Sequence, residues 1–298
     1  MSMPKPENTI SLLEEMLAYE VLWGMPKQSL KSLTEHWDEK NDFLPSQILE
    51  IVEGLAKDEQ LHTKVSDFLT SSVFGNDQFF NISVNGSYQY PSKLKDAKHP
   101  VRFFYFLGNL DLLESKSISV VGTRKITPDG ERRAKKLVKG LLQHGYTIVS
   151  GLAHGVDTVA MTTAIQEGGN VIGVIGTPIN KYYPPENKQL QNLVASNHLL
   201  ISHVPFYRYE HEPFKMKRLH FPERNVTMAA LSSATIIVEA SDTSGTLTQA
   251  RACLAQGRKL FILNSCFDVP GLKWPHSYEE KGAIRIREIE DVIGVLGQ

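Results

Sequence analysis

Cysteine is scarce. The chain of 298 residues holds 2, Cys253 and Cys266. Two thiols cannot build a disulfide framework, nor a zinc site by themselves, and a reducing cytoplasm is the expected location. No apolar run approaches the ~20 residues that a bilayer-spanning helix needs, so no membrane association is expected. The opening MSMPKPENTI lacks the basic start and apolar stretch of a secretory signal. Neither sign of charge dominates, with 32 Lys and Arg against 33 Asp and Glu. Hydrophobic residues at 41% and charged residues at 22% exclude a disordered or collagen-like chain. Several motifs are missing as well: the dinucleotide fingerprint GxGxxG, the P-loop, the GxSxG elbow, HExxH and CxxC. NAD and FAD are therefore not expected, and no cofactor is predicted. The 10 histidines are scattered, and the spacing of His198 and His203 around one strand suits no simple metal site.

The near balance of charge conceals an asymmetry. Residues 1–100 carry 9 Lys and Arg against 15 Asp and Glu, whereas residues 101–298 carry 23 against 18. Chance unevenness accounts for this. So does an acidic module attached to a basic domain that meets an anion. Residues 8–22 place apolar and acidic side chains at helical spacing, and Gly24 and Pro26 close that run. Residues 27–39 and 46–70 repeat the pattern, with Pro45 at the second entry. A small three-helix module over residues 1–75 follows, with no chemistry-bearing motif in it.

The pattern changes near residue 79, where the short aromatic runs FFNISV and FFYFL appear. From residue 117 short apolar strands alternate with helices. Strands are predicted at 117–122, 146–150, 170–176, 198–202, 234–240, 259–263 and 284–287. Helices are predicted from Thr127 to about His144, then at 155–167, 186–196, 223–232, 244–256 and 288–296. Thr127-Pro128-Asp129 supplies a cap and a first turn for the first of these. Apolar strands that alternate with helices predict an α/β fold. The expected architecture is a Rossmann-like, doubly wound, mostly parallel sheet over residues 76–298, behind the small N-terminal helical module.

In such a sheet ligands bind beyond the carboxyl ends of the strands. The first strand-to-helix loop is Gly122-Thr123-Arg124-Lys125, and the second runs from Ser150 and Gly151 through Gly155 to Asp157. The third begins at Gly176-Thr177-Pro178, and the fourth contains Ser244-Gly245-Thr246. Glycine, small hydroxyls and helix N-termini form anion cradles, though they also suit any tight turn. Arg124 crowds out a buried pyrophosphate and supplies a fixed cation for an exposed phosphate. The segment Arg218-Leu219-His220-Phe221-Pro222-Glu223-Arg224-Asn225 sets two arginines and an aromatic just ahead of a predicted helix. It fits a helix start with Phe221 packed beneath it. It also fits a single-strand contact, with arginines on phosphates and Phe221 as a stacking face.

These motifs, taken in order, resemble the DNA-processing protein A family (DprA, also called Smf). The residues that carry the resemblance begin with Tyr90-Pro91-Ser92-Lys93-Leu94, Val121-Gly122-Thr123-Arg124 and the stretch from Ser150 to Asp157. They continue with Tyr183-Pro184-Pro185-Glu186-Asn187, Phe221-Pro222-Glu223-Arg224-Asn225, Val238-Glu239-Ala240, Ser244-Gly245-Thr246-Leu247 and Gly257-Arg258. Together they cover roughly residues 79–263. The resemblance implies a dimeric, non-enzymatic, single-stranded DNA-binding protein. It implies help in loading a RecA-type recombinase during natural transformation or related recombination. It further implies that Arg124 contacts a phosphate from the first loop. Arg218, Phe221, Arg224 and Asn225 would complete the pocket, assisted by Lys125 and by the Ser150–Gly155 loop. The chain departs from the family at His203, where an acid is usual, and at His154 and Val226, where arginines are usual. It ends soon after the core, so a C-terminal winged helix is not expected.

Three other functions compete with this one. Phosphoribohydrolases of the wider superfamily carry a carboxylate where this chain has Gln249, an amide that exchanges no proton near neutral pH. A nucleotide sensor would use the same pocket without catalysis, and an interaction scaffold would leave it idle.

Overall fold

A computed structural model describes residues 11–25, 43–53, 59–74, 80–85, 87, 90–95 and 101–297. The helix expected over 27–39 lies outside them. The chain divides into two compact units. The smaller comprises Met1–Tyr90, Val101–Tyr105 and Pro205–Glu212; the larger comprises Pro91–Pro100, Phe106–Val204 and Pro213–Gln298.

In the smaller unit α1 spans Leu12–Gly24, α2 Pro45–Glu53 and α3 Glu59–Phe68, followed by strand β1 at Asn81–Val84. The single run expected over 46–70 is thus two helices on either side of residues 54–58, which are outside the description. α1 buries Met16, Tyr19, Val21 and Leu22. Tyr19 stacks on Phe103, ring centroids 4.4 Å apart. Two of its acids are buried as well. Glu15 accepts hydrogen bonds from the Ser46 amide at 2.9 Å and the Ser46 hydroxyl at 2.6 Å. Glu20 accepts from the amides of Phe206 and Tyr207, at 2.8 and 2.9 Å, and from the Tyr105 hydroxyl. Each carboxylate therefore meets amides at the start of a short helix, where no intrahelical acceptor exists. Burial pushes the Glu20 carboxyl up to about 7, against the pull of those hydrogen bonds.

Strand β2 spans Phe103–Gly108. In the larger unit the strands are β3 (Ser117–Val121), β4 (Thr147–Ser150), β5 (Val171–Val174), β6 (Leu199–Ser202), β7 (Ala234–Ile237), β8 (Lys259–Leu263) and β9 (Ile284–Ile286). These seven are all parallel, in the order β6-β5-β4-β3-β7-β8-β9. Every residue of β3 to β7 is buried, as expected for strands covered on both faces. The intervening helices are α4 (Pro128–Gln143), α5 (Val156–Gln166), α6 (Lys188–Asn197), α7 (His220–Leu231), α8 (Thr246–Ala255) and, after β9, α9 (Ile289–Leu296). The Thr127 hydroxyl caps α4 by accepting from the Gly130 amide at 3.0 Å.

Helix α7 begins at His220, three residues before the expected start. Pro222 sits in its first turn, where its missing N–H costs no hydrogen bond. Two family motifs turn out to be ties within this unit. The Lys93 ammonium donates to the carbonyls of Leu113 and Ser115, at 3.2 and 2.7 Å. Arg258 donates to the carbonyls of Lys93 and Ala230, both at 3.4 Å.

The chain winds outward from β3 through β4 and β5 to β6, then returns to β7 on the other side of β3. The order reverses between β3 and β7, and the crevice of a doubly wound sheet opens at that point.

Candidate functional site

At the carboxyl ends of β3 and β7 lies a cavity of about 380 Å³. The loops after these strands are joined directly. The Thr123 amide donates to the Glu239 carbonyl at 2.7 Å, and the Thr246 hydroxyl donates to the Gly122 carbonyl at 3.0 Å. The cavity is lined by Gly122, Thr123, Arg124 and Asp157, by Phe221, Arg224 and Asn225, and by Ser244, Gly245 and Thr246.

Arg124 is exposed. It makes no ion pair among the described residues, and its guanidinium carbon lies 5.8 Å from the centroid of Phe221. Neither Glu239 nor Asp157 is hydrogen-bonded to it, and its charge helps to draw the Asp157 carboxyl down. Glu239 accepts from the Thr127 hydroxyl at 2.9 Å, and Asp157 accepts from the amides of Gly151 and Ala153, at 3.1 and 3.4 Å. Lys125 is also exposed, its amide bonded to the Thr123 hydroxyl at 3.1 Å.

Phe221 is half-buried, with its ring over Gly176, where a Cβ would lie 2.7 Å from the ring. Its other neighbour is Tyr183, centroid to centroid 5.1 Å, with the rings tilted by 50°. Tyr183 is 44% exposed. It is not among the binding residues expected from the sequence. Its signal was an aromatic in the third strand-to-helix loop, within Tyr182-Tyr183-Pro184-Pro185.

Arg224 lines the cavity as expected, from a buried position. It is 5% exposed, and its Nη1 donates to the carbonyls of Gly151 at 2.5 Å and Val174 at 2.7 Å. Its Nε donates to the Asn225 side chain at 3.0 Å. The guanidinium thus ties the carboxyl ends of β4 and β5 together, and most of its donors are committed to the protein. Burial pulls it down to about 10. Burial likewise pushes the Asp157 carboxyl up, while Arg224 and the two amides pull it back. Asn225 spans from Arg224 to the Gly245 carbonyl, which its amide reaches at 3.3 Å.

The second loop shapes the cavity from behind. Ser150 is fully buried and donates to the Val120 carbonyl at 2.8 Å. A Cβ on Gly151 would lie 2.1 Å from the Arg224 guanidinium. Gly155 has φ +75°, and a Cβ there would meet the Thr123 carbonyl at 2.2 Å. None of the three lines the cavity: they let the first loop, the second loop and Arg224 pack against one another. Asn187 fixes the same loop by donating to the Leu152 carbonyl at 2.8 Å. The Ser244 hydroxyl accepts from the Thr246 amide at 3.2 Å, just ahead of α8. Arg218 is exposed but stands off the cavity lining.

The three departures are also placed. His154 faces solvent, 3.4 Å from the Glu186 carboxylate. Val226 is half-buried in α7, its carbonyl accepting from Gln256 at 3.2 Å. His203 is hydrogen-bonded with the Thr227 hydroxyl at 3.3 Å, and burial depresses it to about 4.

Residues 81–297 match the family model described as DNA recombination-mediator protein A. Curated relatives include the DNA processing protein DprA of Bacillus subtilis, 35% identical over 80% of this chain and 77% of its own length. The DprA of Streptococcus pneumoniae is 37% identical over 68% of each chain. The crystal structure of the Streptococcus pneumoniae protein superposes with a TM-score of 0.75 at 27% identity, covering 96% of this chain and 98% of that one. DNA processing protein A from Helicobacter pylori, whose structure describes its single-stranded DNA binding mode, superposes with a TM-score of 0.62 at 28% identity. It covers 74% of this chain and 96% of that one.

Proposed function

The chain belongs to the DNA recombination-mediator protein A family, and on that premise we propose that the carboxyl edge at β3 and β7 binds single-stranded DNA. The observation that carries this reading is the pairing of Phe221 with an exposed Arg124 that makes no ion pair among the described residues, next to the half-exposed Tyr183. A guanidinium offers a planar fork of donors to phosphate oxygens. An aromatic face accepts an unpaired base, and a duplex keeps its bases stacked on each other. Salt-sensitive binding with little sequence preference follows from that combination.

The proposed role is mediation rather than chemistry. Gln249 is buried, and its amide donates to the Thr235 hydroxyl at 3.4 Å. It stands where a hydrolase would hold a proton-transferring carboxylate, and an amide cannot serve. In this reading a cytoplasmic homodimer holds the strand and passes it to a RecA-type recombinase, in natural transformation or other recombination. The family description as a recombination mediator supports that part.

The test is a gel shift with single-stranded and duplex DNA of equal length, repeated across salt concentrations. Preference for the single strand is expected, with log affinity falling by ~0.7 per contacted phosphate for each log unit of salt. Equal affinity for the two forms, or a flat salt response, overturns the reading.

A further inference from the structure

A second cavity, of about 490 Å³, lies between α4 and the carboxyl ends of β8 and β9. It is on the same edge of the sheet as the first but shares no lining residue with it. Its size is that of a small-molecule pocket. Leu137, Leu263, Ile286 and Ile289 provide apolar walls, and Arg133, Lys136, Lys139 and Arg287 surround them with positive charge.

The charges are not equally available. Lys139 is paired with Glu167 at 2.7 Å, and Arg287 donates to the Asn264 side chain at 3.3 Å. Arg133 and Lys136 make no side-chain hydrogen bond or ion pair among the described residues, and the Arg133 Nε is buried without a partner. That nitrogen is sealed from the cavity, so a ligand would meet the rest of the Arg133 guanidinium; two cations without a counter-charge call for an anion. The two acids at the rim cannot provide it. Asp268 accepts from Asn264 at 2.7 Å and faces Arg285 at 3.5 Å, while Glu288 closes a capping box at the start of α9.

We infer that this cavity binds a nucleotide unit, with the base against the apolar walls and the phosphate on Arg133 and Lys136. An inorganic anion alone would leave the walls wet, and a neutral apolar ligand would leave the charges of Arg133 and Lys136 without a counter-charge. The nucleotide is either free or one unit of a longer strand, since both present the same base and phosphate. The inference does not rest on the function proposed for the first cavity, and the variant Arg124→Ala distinguishes the two sites, since Arg124 lines only the first.

Calorimetric titration with dAMP, with inorganic phosphate and with a thymidine 20-mer tests it, on the full chain and on Arg124→Ala and the double variant Arg133→Ala/Lys136→Ala. Because neither side chain of the double variant holds a protein partner, its melting temperature is expected to match the parent, which confirms that it folds. A free nucleotide source predicts saturable dAMP binding that persists in Arg124→Ala and weakens at least tenfold in the double variant. Phosphate alone should bind at least tenfold more weakly than dAMP. A strand source predicts no dAMP heat but at least threefold weaker 20-mer binding in the double variant. Two outcomes overturn the inference: dAMP binding lost in Arg124→Ala but not in the double variant, or a double variant that binds dAMP and the 20-mer like the parent.

Discussion

The Arg124 guanidinium lies over the ring of Phe221, 5.8 Å from its centroid, and pairs with no carboxylate among the described residues. A surface arginine fixed by a salt bridge would contribute to stability. One held only against an aromatic face remains available for a phosphate. Arg124→Ala is therefore expected to cost about 1.5–3 kcal/mol of single-strand binding, the range for hydrogen bonds to charged groups. The salt slope should fall by ~0.7, one phosphate's share. The melting temperature should stay within a degree or two of the parent, about 0.5 kcal/mol or less for a surface change. A lower melting temperature with an unchanged salt slope would assign Arg124 to the fold instead.

Besides the two guanidinium groups near its ring, Phe221 packs on Gly176 beneath and Tyr183 beside it. Phe221→Ala should weaken single-strand binding about fivefold or more, within the ~1–3 kcal/mol that stacking on an aromatic contributes per base. Phe221→Tyr should retain most of it. Tyr183→Ala should give a smaller loss on the same assay. Wild-type affinity in Phe221→Ala would show that the ring serves packing alone.

Arg224 is expected to fail a binding test for a different reason. Its removal leaves the buried carbonyls of Gly151 and Val174 without donors and Asp157 without its strongest opposing charge. Losing one partner from a buried polar set costs about 3–5 kcal/mol. Arg224→Ala should lower the melting temperature sharply, and Arg224→Lys should not restore it, because one ammonium cannot span both strand ends. An Arg224→Ala protein of wild-type stability that had lost only DNA binding would contradict this placement.

Glu20 predicts a pH response in the smaller unit. Its folded value of about 7 lies above the ordinary 4.5, so the folded state holds its proton over a range where the unfolded state has released it. The stabilisation is complete below about pH 4.5 and is lost as pH rises through 7. From ~1.4 kcal/mol per pH unit, the loss is about 3 kcal/mol. Urea unfolding at pH 5 and pH 8 should show it, and Glu20→Gln should flatten the difference. A parent protein whose midpoint does not fall between these values would sink the prediction.

Much of the larger unit was legible in the sequence, because fully apolar strands and capped helices are local patterns. SISVV and ATIIV announce buried strands, and Thr127-Pro128 announces α4. The positions of the site loops followed from that alternation, since each strand-to-helix loop of a parallel sheet emerges on the same edge. The roles of individual residues were less legible. Arg124 and Arg224 lie 5.8 and 5.9 Å from the centroid of the same Phe221 ring, and nothing local in the sequence shows that the first is exposed and the second 5% exposed.

The sequence by itself determined the alternation of elements, the identity of the loops and the family. It did so because period, capping and short ordered motifs depend on neighbours along the chain. Only the tertiary structure decided that Arg224 ties β4 to β5 and that Ser150 and Gly155 build the wall without lining it. It also decided that Glu20 caps a helix 186 residues away. Each of these depends on which backbone amides and carbonyls lack a partner once the strands are paired, a demand that exists only after distant segments have met.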